Sequence, residues 1–226
     1  MKHSETLAER AYRQIKLMLL HDELVAGQKL RYQDIAEKLG MSQTPVILAL
    51  SRLENEGLVG SEANKGYAVP ELDLEEAREL YELRVLLEGF LAAKAAKRIS
   101  QADLAGLREL LDAHRSVQGG VYCRERLWCD ARIHLAIAKT SGRKTGAMYL
   151  RQLFDRIYLR YRIDGLAPGR IDEAVEQHEE LFQALAAHDS ARAKKIMVRH
   201  VKAGQKHMLQ GIQHMVDERN RARLWA

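Results

Sequence analysis

From Glu71 to its end the sequence repeats apolar residues at three-and-four spacing and offers no alternating apolar-polar run, so this stretch buries its side chains as packed helices. Breaks at Ser100, Gly119-Gly120, Ser141-Gly142, Gly165 to Gly169 and Asp189 cut it into segments. Six helices are expected, over about Leu74 to Arg98, Gln101 to Ser116, Val121 to Thr140, Lys144 to Ile163, Ile171 to His188 and Ser190 to Arg219. Only three prolines occur in 226 residues, and 46% of the residues are hydrophobic, enough for real cores. A chain of this length suits two unequal domains.

The first seventy residues read differently. Leu7 to Leu20 has one apolar side, with Leu7, Ala11, Ile15, Met18 and Leu19, and breaks at Ala26-Gly27. A short helix, Gln33 to Leu39, ends at Gly40, and a third starts after Ser42 or Thr44 with Pro45 near its first position and runs to about Asn55. Two short helices joined by a turn are a helix-turn-helix arrangement. Leu58-Val59 and Ala63 to Val69, around Asn64-Lys65-Gly66, predict a hairpin wing. The expected domains are therefore residues 1–70, a linker at 71–73, and a helical domain over 74–226.

Net charge is +5, but it does not mark the first domain as a nucleic-acid binder. Residues 1–70 hold nine basic and nine acidic side chains, whereas from Ser190 onward nine Lys and Arg face only Asp217 and Glu218. A solvated helix face with a basic end accounts for that excess. Glu5, Glu9, Arg10, Arg13 and Lys16 interrupt Met1 to Leu20, so neither a signal peptide nor a membrane span is expected, and the cytoplasm is the expected location. Cys123 and Cys129 lie outside any Cys-x-x-Cys pattern and read as reduced thiols.

Polar residues on apolar stripes point to chemistry. Asp130 and His134 are four apart and share a face with Leu127, Ala131, Ile137 and Ala138. His178 lies in the stripe of Ala174, Val175, Leu181 and Leu185, and His200 in that of Ala193, Ile196 and Met197. A lone inward histidine is ordinarily a satisfied core residue, and an uncompensated buried aspartate is costly. One carboxylate with three imidazoles suits a divalent metal, zinc first, with nickel or manganese as alternatives.

Several strings resemble the GntR family of transcription regulators, in its FadR-type branch with an all-helical FCD effector domain. They are Asp34-Ile-Ala-Glu-Lys-Leu-Gly-Met-Ser-Gln-Thr-Pro-Val46, Leu50 to Val59, Asn64-Lys-Gly66, Glu79 to Glu88, the Asp130 and His134 pair, and the segments around His178 and His200. Six helices in the second domain rather than seven resemble the VanR-like subgroup. The resemblance implies a mainly α fold, a winged helix-turn-helix domain followed by an all-α six-helix antiparallel bundle. It implies a metal at Asp130, His134, His178 and His200, and it leaves His114, His188, His207 and His214 without counterparts, as expected surface residues. It places Arg84 toward an effector pocket, where its planar fork would clamp a carboxylate, and the flanking Val85, Leu86 and Leu87 suggest burial. An ordinary helical pair with Glu88 is the alternative.

The expected DNA-contacting residues are Arg31, Ser42, Gln43, Thr44, Ile47, Arg52 and Lys65. The family usually has Arg in the place of Gln43 and Arg-Glu in that of Ile47-Leu48, so this chain lacks bidentate donors there. Ile47 and Leu48 either meet thymine methyls or pack against a neighbouring element. The whole reading is a metal-containing regulator that binds double-stranded operator DNA as a homodimer and senses a small organic acid, with no membrane partner. Two alternatives stand beside it, a helical interaction module with weakened DNA binding and a metalloenzyme. Against the latter, the sequence shows no Gly-rich phosphate loop and no general base beside the metal ligands.

Overall fold

The computed structural model describes residues 5–62, 66–117, 123–161 and 170–224. The chain divides into two compact units, Met1–Leu72 with Phe154–Arg162, and Asp73–Leu153 with Ile163–Ala226.

In the first unit, α1 (Leu7–Leu20) starts at a capping box in which Thr6 accepts from the Glu9 amide and the Glu9 carboxylate accepts from Thr6. After β1 (Lys29–Leu30) comes α2 (Tyr32–Leu39), which ends at Gly40 with φ of 60°, a left-handed cap that glycine adopts without strain. The next helix, α3 (Gln43–Asn55), follows Ser42, with Pro45 in its first turn. β2 (Gly60–Glu62) and β3 (Gly66–Ala68) complete an antiparallel sheet of order β1-β3-β2. Tyr67 lies opposite both Ser61 and Leu30.

The sheet corrects two expectations. Leu58 and Val59 are core residues preceding the strand, which starts at Gly60, and β1 was not expected at all. Two residues carry no periodicity, so only the pairing with β3 reveals them as a strand. The expected wing turn at residues 63–65, Lys65 included, lies outside the described residues.

Ile15, Leu19, Val46, Leu50, Leu53 and Leu58 form the fully buried centre of this unit. Each such side chain contributes about 1.5–3 kcal/mol relative to exposure. Leu159 belongs to the same core. Next to it, the buried Arg160 donates to the carbonyls of Gly57, Pro70 and Glu71, at 3.3, 3.1 and 2.9 Å. Residues far away in sequence thus complete the first unit.

The second unit begins with α4 (Leu74–Ala96), capped where Asp73 accepts from the Glu76 amide. Then come α5 (Gln101–Ser116), opened by a Ser100–Asp103 capping box, α6 (Arg124–Thr140), α7 (Lys144–Tyr158), which from Phe154 on counts with the first unit, α8 (Ile171–Ala186) and α9 (Ser190–Leu224). These six helices match the expected set among the described residues, with shifted ends. α4 stops two residues early because the amides of Arg98 and Ile99 both turn back to the Ala95 carbonyl. α7 ends at Tyr158 rather than near Ile163, and α9 continues past Arg219 to Leu224.

α4 packs most extensively on α9. Gly89 makes the approach possible, since a Cβ there would stand 2.7 Å from Val198 Cγ2. α6 and α8 also pack on α4, and α5 packs on both α6 and α8. The inward faces of α4, α6, α8 and α9 therefore meet.

Candidate metal centre and DNA-reading helix

Where those faces meet, one ligand atom from each of Asp130, His134, His178 and His200 lies within 4.8 Å of the others. α6 supplies Asp130 and His134 one turn apart, α8 supplies His178, and α9 supplies His200. Asp130 Oδ1 is 3.3 Å from His178 Nε2 and 3.8 Å from His200 Nε2, and Asp130 Oδ2 is 3.7 Å from His134 Nε2. The three imidazoles are buried.

Surrounding groups fix which nitrogen of His134 and of His200 points inward. Glu88 accepts from Arg84 Nε at 2.8 Å and also meets His134 Nδ1. An ionised carboxylate only accepts, so Nδ1 carries the proton and Nε2 of the neutral ring presents a lone pair. Gln177 orients His200 in the same way. Its Oε1 takes Arg170 Nη2 at 3.0 Å, and arginine only donates, so His200 Nδ1, 2.9 Å from that oxygen, must donate too. The Gln177 amide nitrogen donates to Glu173 at 2.7 Å, which fixes the amide orientation.

Consequently the Nε2 atoms of His134 and His200 face each other 3.1 Å apart, lone pair toward lone pair when both rings are neutral. His178 is buried, and among the described residues neither of its ring nitrogens is in a hydrogen bond, its Nε2 lying 3.3 Å from Asp130 Oδ1. Such an arrangement calls for a cation. The donor set, one carboxylate and three imidazoles of which two present Nε2 inward, fits a divalent metal.

Electrostatics agree with that chemistry. Burial opposes charge on His134, but Glu88 and Asp130 outweigh it and hold the ring up to about 9. Burial alone would raise Glu88 and Asp130, yet His134 outweighs it, with Arg84 acting on Glu88, and both carboxyls stay below their usual range. Burial pushes His178 down, and burial together with His178 pushes His200 well down. Without a metal, a proton on His134 is the cation of the site.

Arg84 makes the helical pair that stood as the alternative to a pocket role. It is buried, and it pairs with Glu88 one turn on. Its neighbours correct the expectation, because Leu86 is 72% exposed and Arg84 shares its inward face with Tyr81 and Glu88 instead. His114 is likewise no surface residue. It extends the Leu104, Leu107, Leu111 stripe of α5, and its ring stands 5.1 Å from that of His178, where burial lowers it to about 4. His188 and His214 are exposed. Glu88, Gln177 and Arg170 were not anticipated; only the i to i+4 spacing of Arg84 and Glu88 hinted at them.

In the first unit, Ser42, Gln43, Thr44, Ile47 and Leu48 are exposed at the start of α3, opposite the buried Pro45, Val46, Ala49 and Leu50. Ile47 and Leu48 thus do not pack into that core. Arg31 is exposed at the start of α2. Arg52 lies over the Tyr12 ring at 3.9 Å with Nε 3.3 Å from Glu56, whose carboxylate also accepts from the Tyr12 hydroxyl.

A winged helix-turn-helix with an exposed recognition helix, followed by a helical bundle with a buried polar centre, defines a ligand-responsive DNA-binding regulator. Residues 7–69 match the bacterial regulatory proteins of the gntR family, and residues 79–203 match the FCD domain. The chain belongs to the GntR family of transcription regulators that carry an FCD domain.

McbR, a transcriptional regulator of Escherichia coli K12, is 29% identical over 191 residues, covering 84% of this chain and 86% of McbR. The Nta operon transcriptional regulator of Aminobacter aminovorans is 28% identical, covering 80% and 83%. The solved structure of E. coli McbR/YncC superimposes with a TM-score of 0.80 at 26% identity, covering 91% of this chain and 98% of that one. A GntR regulator of Rhodococcus sp. RHA1 shares the fold, with a TM-score of 0.76 at 20% identity and coverage of 89% and 97%. The relatives are regulators, which sets the metalloenzyme reading aside. Among the described residues no helix is long and apolar enough to cross a membrane.

Proposed function

We propose that this chain is a cytoplasmic, metal-containing regulator that binds a palindromic site in double-stranded operator DNA as a homodimer and responds to a small organic acid. The observation that carries the reading is the pair of Nε2 atoms of His134 and His200, 3.1 Å apart, which present lone pairs to each other when both rings are neutral, each tautomer set by a hydrogen bond on the far side of its ring. Asp130, His134, His178 and His200 would hold the metal, with zinc the best fit to three imidazoles and one carboxylate, and nickel or manganese next. A metal there supplies a Lewis-acidic anchor for a carboxylate. Arg84, buried beside Glu88, adds positive charge to the same region and favours an anion over a neutral ligand.

In the first unit, Gln43, Thr44, Ile47 and Arg52 would face the major groove from α3, with Ser42 and Arg31 flanking, and Lys65, outside the described residues, stays an expected DNA contact from the sequence alone. The exposed Ile47 and Leu48 favour apolar contact with thymine methyls, a readout that needs little charge. Dimerisation has its support in the second unit. Leu83, Leu86 and Phe90 form an exposed stripe on α4, and Met148 and Tyr149 are exposed on α7, near where Gly146 packs on Leu87 and Leu91. An apolar stripe on two helices suits a second copy of the chain.

Footprinting on the chain's own promoter region, with zinc-loaded and chelator-stripped protein and a panel of organic acids, tests the reading. A protected palindrome with steep salt dependence, altered by one acid only in the zinc-loaded protein, is expected. Arg52→Ala should weaken operator binding by about 1–3 kcal/mol. Absence of a footprint at low salt would instead make the protein a helical interaction module.

A further inference from the structure

Of the three candidate imidazole ligands, His134 is oriented by Glu88 and His200 by Gln177, whereas among the described residues neither nitrogen of His178 has a hydrogen-bond partner. A metal-binding imidazole needs its ring orientation fixed, and a group outside the ligand set ordinarily fixes it. For His178 that group lies on α5, which supplies no ligand.

Contacts on two sides seat α5 against the ligand-bearing helices. Toward α8, Arg108 makes a bidentate pair with Glu179, the residue after His178, at 2.6 and 3.0 Å, and its guanidinium lies over the Phe182 ring at 4.0 Å. Toward α6, the buried Arg126, one turn before Asp130, donates through Nη1 to the His114 carbonyl at 3.0 Å and through Nη2 to that of Val117. The last carbonyls of a helix lack partners within it and favour a cation, so Arg126 fixes the end of α5. Held in this way, α5 presents the His114 ring, 3% exposed, to that of His178, with centroids 5.1 Å apart and planes at 80°. Such an edge-to-face arrangement is a preferred geometry for two rings. The other rings that meet His178 are His200, at 4.4 Å, and His134, at 5.7 Å, both candidate ligands themselves. His114 stands outside the four-residue cluster.

We propose that His114 is a positioning residue of the metal centre, which sets the plane of the His178 ring by edge-to-face contact where Glu88 and Gln177 orient their histidines by hydrogen bonds. The assignment rests on the metal-containing regulator proposed above. It also gives the buried Arg126 a task, since one of the two carbonyls it holds is that of His114. A ring at position 114, rather than a polar group, is what the site requires.

His114→Leu fills the space without a ring, and His114→Phe keeps a ring without its nitrogens. In zinc competition against a chromophoric chelator, the leucine variant should bind zinc about tenfold more weakly than wild type, and the phenylalanine variant within about threefold of it. The visible spectrum of the cobalt(II)-substituted protein should change with leucine and persist with phenylalanine. Wild-type zinc affinity and cobalt spectrum in the leucine variant would overturn the assignment, whatever its melting temperature, because lost packing alone lowers stability and spares the ligand field. A phenylalanine variant as weak as the leucine one would overturn the ring contact. A wild type that binds no zinc would overturn the metal reading instead. Nitrogen-15 spectra of the histidine side chains in the metal-free protein then decide the positioning: His178 signals should broaden in His114→Leu and stay sharp in His114→Phe, and sharp signals in both would refute it.

Discussion

Replacing Glu88 by Gln keeps the shape of a buried side chain and removes one charge, which makes it a sharp test of how the proposed metal centre is oriented. Glu88 accepts from Arg84 Nε and from His134 Nδ1. Glutamine has one carbonyl oxygen, so its amide must meet one of these two donors. Arg84 cannot give up its proton, and His134 yields by shifting its own to Nε2, the nitrogen that faces His200. The ring then offers a proton where a ligand atom is needed.

Loss of such an orienting partner costs about 10–100-fold in metal affinity, or about 1.4–2.7 kcal/mol. Arg84 also loses a buried counter-charge, a change that destabilises by up to about 3–5 kcal/mol and lowers the melting temperature of the metal-free protein. Zinc competition against a chromophoric chelator measures the first effect, and the visible spectrum of the cobalt(II)-substituted protein reports a changed ligand field. Zinc affinity within about twofold of wild type, with an unchanged cobalt spectrum, would refute the orientation mechanism.

Metal binding should also depend on pH with a definite sign. His134 is held up to about 9 in the folded chain, so the stability it contributes is complete below its ordinary value near 6.5 and is lost as pH rises through 9. Zinc displaces that proton; the melting-temperature gain on adding zinc should therefore grow across this window, and a constant gain would contradict it. Leu86→Glu places a charge in the exposed stripe of α4 and should give monomers in light scattering, together with weaker operator binding; an unchanged dimer would move the interface elsewhere. Gly89→Ala sets a Cβ 2.7 Å from Val198 Cγ2 and should destabilise by about 1–3 kcal/mol, with recovery on adding Val198→Ala; thermal denaturation reads both, and no loss would mean that α4 and α9 separate freely.

Local rules written in the chain were sufficient for the helices and for the four candidate ligands. Caps at Thr6, Asp73 and Ser100, the left-handed turn at Gly40 and three-and-four apolar spacing set the elements, because each acts within a few residues. Asp130, His134, His178 and His200 stood out because a polar group on an apolar stripe needs a partner. Tertiary structure alone decided what surrounds them. β1 exists only because β3 lies beside it, Leu159 and Arg160 join the first unit across about ninety residues of sequence, and His114 is buried because its stripe of α5 continues under His178. Glu88, Gln177 and Arg170 resemble ordinary polar helix residues until α4, α8 and α9 converge. Their hydrogen bonds then choose which nitrogen of His134 and of His200 faces the centre, and such a choice depends on distance and direction, which spacing along a single helix cannot encode.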